Sequence, residues 1–189
     1  MRIALTLSLL AGIALAGCAS KTAAPAPAAA AAAKPAEGFF GRTKSAVATL
    51  SPAASGAVAG IVTFTASGNS ADVHVVATGL VPGSTHGFHV HDVGNCASPD
   101  FMSAGGHFNP GHHQHGPQNA EHHAGDMPGL LADPAGKIDT TFTLNGVALG
   151  GAEGFVGHAV ILHAGPDDYA TQPTGNSGGR IACGVIAAN

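Results

Sequence analysis

The stretch VAGIVTFTASGNSADVHVVAT, residues 58–78, determines the fold class. Its apolar side chains recur at every second position, first within residues 62–66 and again within residues 73–77. Because successive side chains of a β-strand point to opposite faces, this period predicts two strands, each with one buried face. The glycine and serine residues between the two runs are typical of a turn.

The same short period recurs in both directions from this stretch. Five further segments fit it: residues 44–50, 87–91, 137–144, 158–162 and 184–187. Seven or eight short strands separated by turns predict an all-β domain, an antiparallel sandwich or a flattened barrel.

Composition excludes one class of partner. The 189 residues carry a net charge of −4, and the seven Lys and Arg residues are scattered rather than clustered. No basic surface for nucleic acid is therefore expected. Twelve histidines beside a single tyrosine and no tryptophan are an unusual balance.

The N-terminus reads as an export signal. Met1-Arg2 precede an apolar run, residues 3–16, that is too short to span a bilayer well and ends in small residues, so residues 1–17 are predicted to be a signal peptide. The motif Leu15-Ala16-Gly17-Cys18 resembles a bacterial lipobox. This resemblance implies cleavage before Cys18 and lipid attachment to it; the alternative is an ordinary signal peptide in which Cys18 is incidental.

Two segments follow the signal peptide. Residues 18–38 hold the lipidated cysteine and a tether rich in Ala and Pro, with almost nothing to bury. Residues 39–189 form the folded domain. We therefore expect an exported lipoprotein of the periplasm or cell envelope, anchored to a membrane at Cys18; whether that is the inner or the outer membrane stays open.

One long segment, residues 92–128, shows no convincing strand or helix. Loops of this length are uncommon in compact domains unless something other than apolar packing holds them. The segment contains Cys96, six histidines and Asp126. A disulfide and a metal ion could therefore hold it.

The histidines at the strand ends suit a metal. His89 and His91 are two residues apart on one strand, so their side chains point to the same face. This spacing alone is weak evidence for a metal site, because it occurs as often in histidines that bind no metal. His163 ends another strand and could join them. With one further nitrogen ligand, these three histidines would make a set of four with an open axial position. Such a set suits copper, whose divalent form prefers tetragonal nitrogen ligation.

The loop offers a different ligand set. His107, His115 and His123 supply three nitrogens, and Asp126, three residues after His123, supplies an oxygen. Three nitrogens and one oxygen make a closed tetrahedral set, which suits zinc.

Four motifs carry a resemblance to a known family. They are Gly87-Phe88-His89-Val90-His91, Gly106-His107-Phe108-Asn109-Pro110, His123-Ala124-Gly125-Asp126 and Gly179-Arg180-Ile181-Ala182-Cys183-Gly184-Val185. With them, the chain resembles copper–zinc superoxide dismutase over about residues 44–186. The resemblance implies a Greek-key, eight-stranded flattened barrel, an immunoglobulin-like sandwich with long metal-binding loops.

The resemblance also implies which residues act. It places one copper ion per subunit on His89, His91, His107 and His163. It places one zinc ion per subunit on His107, His115, His123 and Asp126, so that His107 bridges the two metals. It further implies a disulfide between Cys96 and Cys183, a carboxylate at Asp167 that hydrogen-bonds ligands of both metals, a guiding Arg180 beside copper, and Thr174 at the rim of the substrate channel.

The implied reaction is the disproportionation of superoxide to oxygen and hydrogen peroxide, which would protect the cell envelope from periplasmic or extracellular superoxide. His107 and Arg180 are the implied catalytic residues. On reduction, His107 would release copper and take the proton that it later gives to the forming peroxide.

The chain departs from the family in its charges. The segment 169–179 is shorter than in eukaryotic members and carries no charged residue, and residues 92–106 contain no lysine. From residue 39 onward, ten acidic residues outnumber Arg42, Lys44, Lys137 and Arg180. We therefore expect weaker electrostatic steering of the substrate anion.

The remaining histidines fall into two groups. His74, His86 and His158 are expected to be structural or surface residues. His112, His113 and His122 are either solvated loop residues or a patch that captures metal. His122 could replace His123 as a ligand, but the spacing to Asp126 favours His123.

Two rival functions fit parts of the sequence. A non-catalytic copper-binding lipoprotein could reuse the fold, but such relatives usually lose a copper ligand or the arginine, and this chain keeps both. A zinc hydrolase is disfavoured because the His-Glu-x-x-His motif is absent. The sequence leaves open whether the protein is a monomer or a homodimer.

Overall fold

Antiparallel strands account for nearly all the regular structure of the described residues. The computed structural model describes residues 43–97 and 99–189, and within them we number ten strands. They are β1 (Ser45–Pro52), β2 (Ala59–Ser67), β3 (Ser70–Thr78), β4 (Thr85–His86), β5 (Phe88–His91), β6 (Leu130–Leu131), β7 (Ile138–Asn145), β8 (Ala159–His163), β9 (Arg180–Val185) and β10 (Ala187–Ala188).

Eight of these strands form one curled sheet. Its hydrogen-bonded order is β5-β8-β9-β1-β2-β3-β7, with β10 pairing beside β1, while β4 and β6 form a separate two-stranded sheet. Strand β1 turns the sheet over on itself, because residues 45–50 pair with β2 whereas Ser51 and Pro52 pair with β9. The non-sequential neighbours are Greek-key crossovers, and the all-β flattened barrel predicted from the sequence is confirmed.

The core follows the period of two. Val62 and Phe64 of β2 and Val73 and Val75 of β3 are fully buried, and the residues between them are more exposed. Phe64 meets Phe155 edge to face, with ring centroids 5.9 Å apart. The alternation that predicted these strands is therefore the alternation between the core and the solvent.

The last long strand was predicted too short. The sequence pattern placed it at residues 184–187, but β9 begins at Arg180. Ala182, Cys183 and Gly184 are all buried, so the strand shows no alternation that the sequence could reveal. This strand pairs with β8 and brings Arg180 opposite His163.

The long segment 92–128 has only isolated bridges and one 3-10 turn, Met102–Ala104, among its described residues. Cys96 and Cys183 form the expected disulfide, which joins this loop to β9 across 87 residues of sequence. In the chain-entropy model, a crosslink of that span stabilises the fold by about 4–5 kcal/mol.

The predictions for the signal peptide, the lipidated Cys18, the tether and the first residues of the folded domain, all within residues 1–42, lie outside the described residues. Within the described part of the chain, no helix is long and apolar enough to cross a bilayer.

Removing the largest inward side chain of β2 should test the alternation. Phe64→Ala is expected to lower the free energy of unfolding by about 3–5 kcal/mol, because it leaves a cavity in the core. Ile61→Ala on the same strand, at a side chain that is 51% exposed, should cost less than about 1 kcal/mol. Urea denaturation of both variants measures this, and equal losses would contradict the assigned faces.

Candidate metal centre

Four histidine rings converge at the end of the curled sheet. His89 and His91 lie on β5, His163 ends β8, and His107 comes from the loop. One ring nitrogen from each lies within 4.8 Å of the others, and all four residues are buried. The structure thus brings together the four residues predicted to hold copper.

A second group of four ligands lies on the other side of His107. The Nδ1 atoms of His107, His115 and His123 lie 2.8, 3.0 and 3.2 Å from a single oxygen, Oδ1 of Asp126. The other carboxylate oxygen accepts hydrogen bonds from the backbone N–H groups of His123 and Gly116, at 2.9 and 3.2 Å. One oxygen is therefore fixed by the backbone and the other faces three imidazoles.

Three buried ring nitrogens in these groups have no hydrogen-bond partner: His89 Nδ1, His107 Nε2 and His115 Nδ1. His115 Nδ1 lies 3.0 Å from Asp126 Oδ1 without hydrogen-bond geometry, as expected of two ligands that share one cation. Buried polar atoms normally find partners, so these three orphaned nitrogens indicate that metal ions belong here. The residues present therefore fit both ions.

His107 belongs to both groups because its two nitrogens face opposite ways. Nδ1 lies against Asp126, while Nε2, the orphaned atom, lies on the side of the four-histidine group. A single imidazole thus connects the two sites.

Backbone carbonyls fix the tautomers of two other rings. His91 Nδ1 donates to the carbonyl of Gly105 at 3.0 Å, and His163 Nδ1 donates to that of Gly178 at 3.2 Å. Their Nε2 atoms, 3.3 Å apart, are left as the inward-facing nitrogens. Such outer hydrogen bonds set the direction in which a ligand lone pair points.

Asp167 connects the two ligand groups from outside. Its Oδ2 accepts from His89 Nε2 at 2.7 Å and its Oδ1 from His115 Nε2 at 2.9 Å. Oδ1 also accepts the backbone N–H of Tyr169 at 2.7 Å. The structure therefore places Asp167 where the resemblance implied.

Two glycines allow the loops to come this close. The backbone of Gly125 pairs with Val90, between His89 and His91, at a N–H···O distance of 2.8 Å, and a Cβ on Gly125 would overlap the Val90 carbonyl oxygen. Gly175 has φ +65, and a Cβ there would overlap Oδ1 of Asp167. Both positions need the absence of a side chain.

Arg180 lies at the mouth of the four-histidine group. Its Nη1 and Nη2 atoms donate to the carbonyls of Phe101 and Gly105, both at 2.6 Å. Together with His91, His163 and Thr174, it lines an open cavity of about 520 Å³. The guanidinium is therefore fixed beside the site, with Thr174 on the same wall.

Sequence reasoning missed one contributor, Gln172. Its Oε1 accepts the backbone N–H of His115 at 2.9 Å, and its Nε2 donates to the carbonyl of His115 at 2.8 Å. This side-chain amide fixes the backbone of a ligand 57 residues away. A glutamine in an unpatterned loop gives no sequence signal of such a contact.

The other histidines lie outside both groups. His74 is exposed and lies 3.1 Å from Asp139, and His158 donates to the carbonyl of Asp92 at 2.7 Å. Buried His86 donates from Nδ1 to the carbonyl of His163 at 2.7 Å. His112 and His113 are exposed and His122 is half-buried, and none of the three belongs to a metal-ligand group among the described residues.

Burial sets the charge state of the inward-facing histidines. Desolvation lowers the pKa of His89 to about 4, that of His163 to about 3 and that of His91 to about 2. Burial disfavours the ionised carboxylate of Asp126, but the hydrogen bonds from His107 and the His123 backbone, together with the charges of His107 and His115, outweigh burial and lower the pKa. Neutral imidazoles beside an ionised carboxylate are the forms that bind metal cations.

These shifts predict how the metal-free protein responds to acid. The unfolded chain binds protons on its histidines near pH 6.5, whereas folded His89 does so only near pH 4. Stability is thus fully present above pH 6.5 and falls as the pH drops towards 4, by about 3 kcal/mol for His89 alone.

Urea denaturation of the metal-free protein at several pH values measures this slope. His89→Gln, which cannot be protonated, should reduce the slope between pH 6.5 and 4, while His74→Gln on the exposed face of β3 should leave it unchanged. A stability independent of pH across this range would refute the assignment.

Comparison with known proteins identifies the family. The family model for copper/zinc superoxide dismutase (SODC) matches residues 58–186. The superoxide dismutase-like protein YojM of Bacillus subtilis is 44% identical over 124 residues, which are 62% of this chain and 63% of that protein. A copper–zinc superoxide dismutase of Deinococcus radiodurans is 40% identical over 145 residues, 70% of this chain and 79% of that protein.

A solved structure agrees. The crystal structure of the clock protein EA4 superposes with a TM-score of 0.73 at 34% identity, covering 80% of this chain and 99% of that one. The chain therefore belongs to the copper/zinc superoxide dismutase family, whose cofactors are copper and zinc.

Proposed function

We propose that this chain disproportionates superoxide to oxygen and hydrogen peroxide in the cell envelope, and so protects the envelope from periplasmic or extracellular superoxide. The observation that carries the proposal is the fusion of two complete ligand sets at His107, one of them open to solvent beside Arg180. The family match supports the reaction, and the export signal with its lipobox supports the location.

The ligand types assign the metals. The all-nitrogen group suits copper and is the group that borders the open cavity. The group of three nitrogens and one carboxylate oxygen suits zinc, which prefers a closed tetrahedral set. Copper bound by the all-nitrogen group would supply one-electron redox chemistry, whereas zinc bound by His107, His115, His123 and Asp126 would have no redox role.

The chain itself binds and orients the substrate. Superoxide is a small anion, and the guanidinium of Arg180 presents fixed N–H donors at the mouth of the cavity. Thr174 lines the same cavity. Binding energy at this point goes into positioning the anion next to the ligands His91 and His163.

The reaction consumes protons, and one residue is placed to hold one. Two superoxide anions and two protons yield one molecule of oxygen and one of hydrogen peroxide. His107 Nε2 faces the copper side and has no hydrogen-bond partner in the protein, so it can hold a proton for the product. Asp126, on the opposite side of the ring, keeps the imidazole in orientation.

The proposed location has support from two features. The sequence of residues 1–18 resembles a signal peptide that ends in a lipobox, which would anchor the protein to a membrane through Cys18. The disulfide between Cys96 and Cys183 suits an oxidising compartment outside the cytoplasm.

Gln172 should contribute to zinc affinity. Gln172→Ala removes both hydrogen bonds to the backbone of His115, and we expect the dissociation constant for zinc to rise about tenfold, as for other outer-sphere partners of ligands. Gln114→Ala, the same change at an exposed residue next to His115, serves as the control. Competition with a chromophoric chelator measures both constants, and equal affinities would disprove a role for Gln172.

The function is tested on the purified chain loaded with both metals. We expect rapid removal of superoxide, and we expect His89→Ala to lower the rate by more than about 100-fold while zinc stays bound, because even outer-sphere partners of ligands are worth 10- to 100-fold. His74→Ala, a histidine on the exposed face of β3, should retain full activity.

Metal analysis separates the competing explanations. A chain that binds one copper and one zinc but does not remove superoxide would be a copper-binding lipoprotein, and the enzymatic proposal would then be wrong. Loss of zinc together with copper in His89→Ala would refute the assignment of His89 to the copper site alone.

A further inference from the structure

We propose that Asp100 limits access of anions to the copper-side cavity by offsetting the charge of Arg180. The inference rests on the proposed function, since superoxide is the anion concerned. The negative charge of Asp100 would account for the weak electrostatic steering of the substrate anion that is expected from the sequence.

Asp100 lines the same open cavity as Arg180, His91 and His163. Among the described residues that line this cavity, Arg180 and Asp100 are the two that carry a full charge at neutral pH. A substrate anion entering the cavity therefore meets one positive and one negative side chain.

A single turn holds both charged groups in place. Asp100 Oδ1 accepts the backbone N–H of Met102 at 3.1 Å, which fixes the carboxylate at the start of the 3-10 turn. The carbonyl of Phe101, between these two residues, accepts Nη1 of Arg180 at 2.6 Å. The carboxylate and the guanidinium are thus attached to the same few residues of backbone.

The side chains of Asp100 and Arg180 also interact electrostatically. Burial lowers the pKa of Arg180, and the negative charge of Asp100 acts in the opposite direction. The interaction that stabilises charged Arg180 is the one that reduces its attraction for another anion.

The size of the effect follows from Coulomb's law. For unit charges about 10 Å apart, in an effective dielectric of about 40–80, removing one charge changes local anion affinity about two- to fourfold. No excess of positive charge elsewhere compensates, since ten acidic residues outnumber the four basic ones from residue 39 onward. Asp100 therefore weakens the positive field of Arg180 at the cavity mouth.

The test compares three variants of the full chain loaded with copper and zinc. Asp100→Asn removes the charge but keeps an oxygen for the Met102 N–H, and Asp100→Glu keeps the charge. Asp72→Asn makes the same change in net charge on β3, at a residue that accepts a hydrogen bond from Thr143 and does not line the cavity.

Rates of superoxide removal are measured from about 10 to 300 mM ionic strength. We expect Asp100→Asn to be about two- to fourfold faster at low salt and to slow as salt is added. The starting protein, Asp100→Glu and Asp72→Asn should all be nearly independent of salt. Equal acceleration by Asp100→Asn and Asp72→Asn would mean that net charge, not this residue, controls the rate, and the proposal would fail.

A binding measurement gives a readout independent of turnover. Formate, a small monovalent anion, is titrated into the full chain loaded with zinc alone, and the guanidinium resonances of Arg180 are followed by NMR. We expect formate to bind about two- to fourfold more tightly to Asp100→Asn than to the starting protein, and unchanged affinity would overturn the proposal. Tighter formate binding in a protein without dismutase activity would support the role of Asp100 while refuting the proposed enzyme.

Discussion

The hydrogen bonds that hold the long loop against strand β5 at Val90 determine where the ligands lie. Val90 donates to Gly125 and accepts from Phe108, both at 2.8 Å. His89 and His91 flank Val90 on the strand, His107 precedes Phe108, and Asp126 follows Gly125. Three short stretches of sequence are thereby brought to one point, and with them come ligands of both groups.

Apolar burial alone does not offset the conformational entropy that a loop of this length loses on folding, so other interactions also stabilise it. The disulfide of Cys96 and Cys183 attaches one end to β9. Asp126 ties the middle of the loop to its own backbone through Gly116 and His123. Bound metal ions would stabilise the loop further, because they would give the three orphaned nitrogens the partners that the protein does not supply.

Charge around the site is arranged in layers. His89, His91 and His163, whose pKa values are lowered by burial, point inward. Two carboxylates adjoin the histidines: Asp126 within the zinc group and Asp167 on the outer nitrogens of His89 and His115. Among the described residues that line the cavity, Arg180 is the one that carries a positive charge. This arrangement favours cation binding inside and leaves substrate attraction to a single residue, whose own neighbourhood then matters greatly.

The sequence predicted the parts of this structure that have a local pattern. Period-two apolar residues located β2 and β3, and the resemblance located the ligands, the disulfide and Asp167. The apolar pattern did not reveal where β9 begins, because the consecutive residues Ala182, Cys183 and Gly184 are all buried. Nor could it reveal contacts that depend on loop geometry alone, such as the amide of Gln172 on His115 or the place of Asp100 in the cavity.

The central claim is that His107 is shared by two different metal ions. A crystal structure of the chain loaded with both metals, with anomalous scattering collected at the copper and zinc absorption edges, tests it most directly. If His107 is shared, one copper peak is expected on the Nε2 side of its ring, among His89, His91 and His163. One zinc peak is expected on the Nδ1 side, beside Asp126. A single metal position, the same element on both sides, or a His107 ring that contacts only one ion would contradict it.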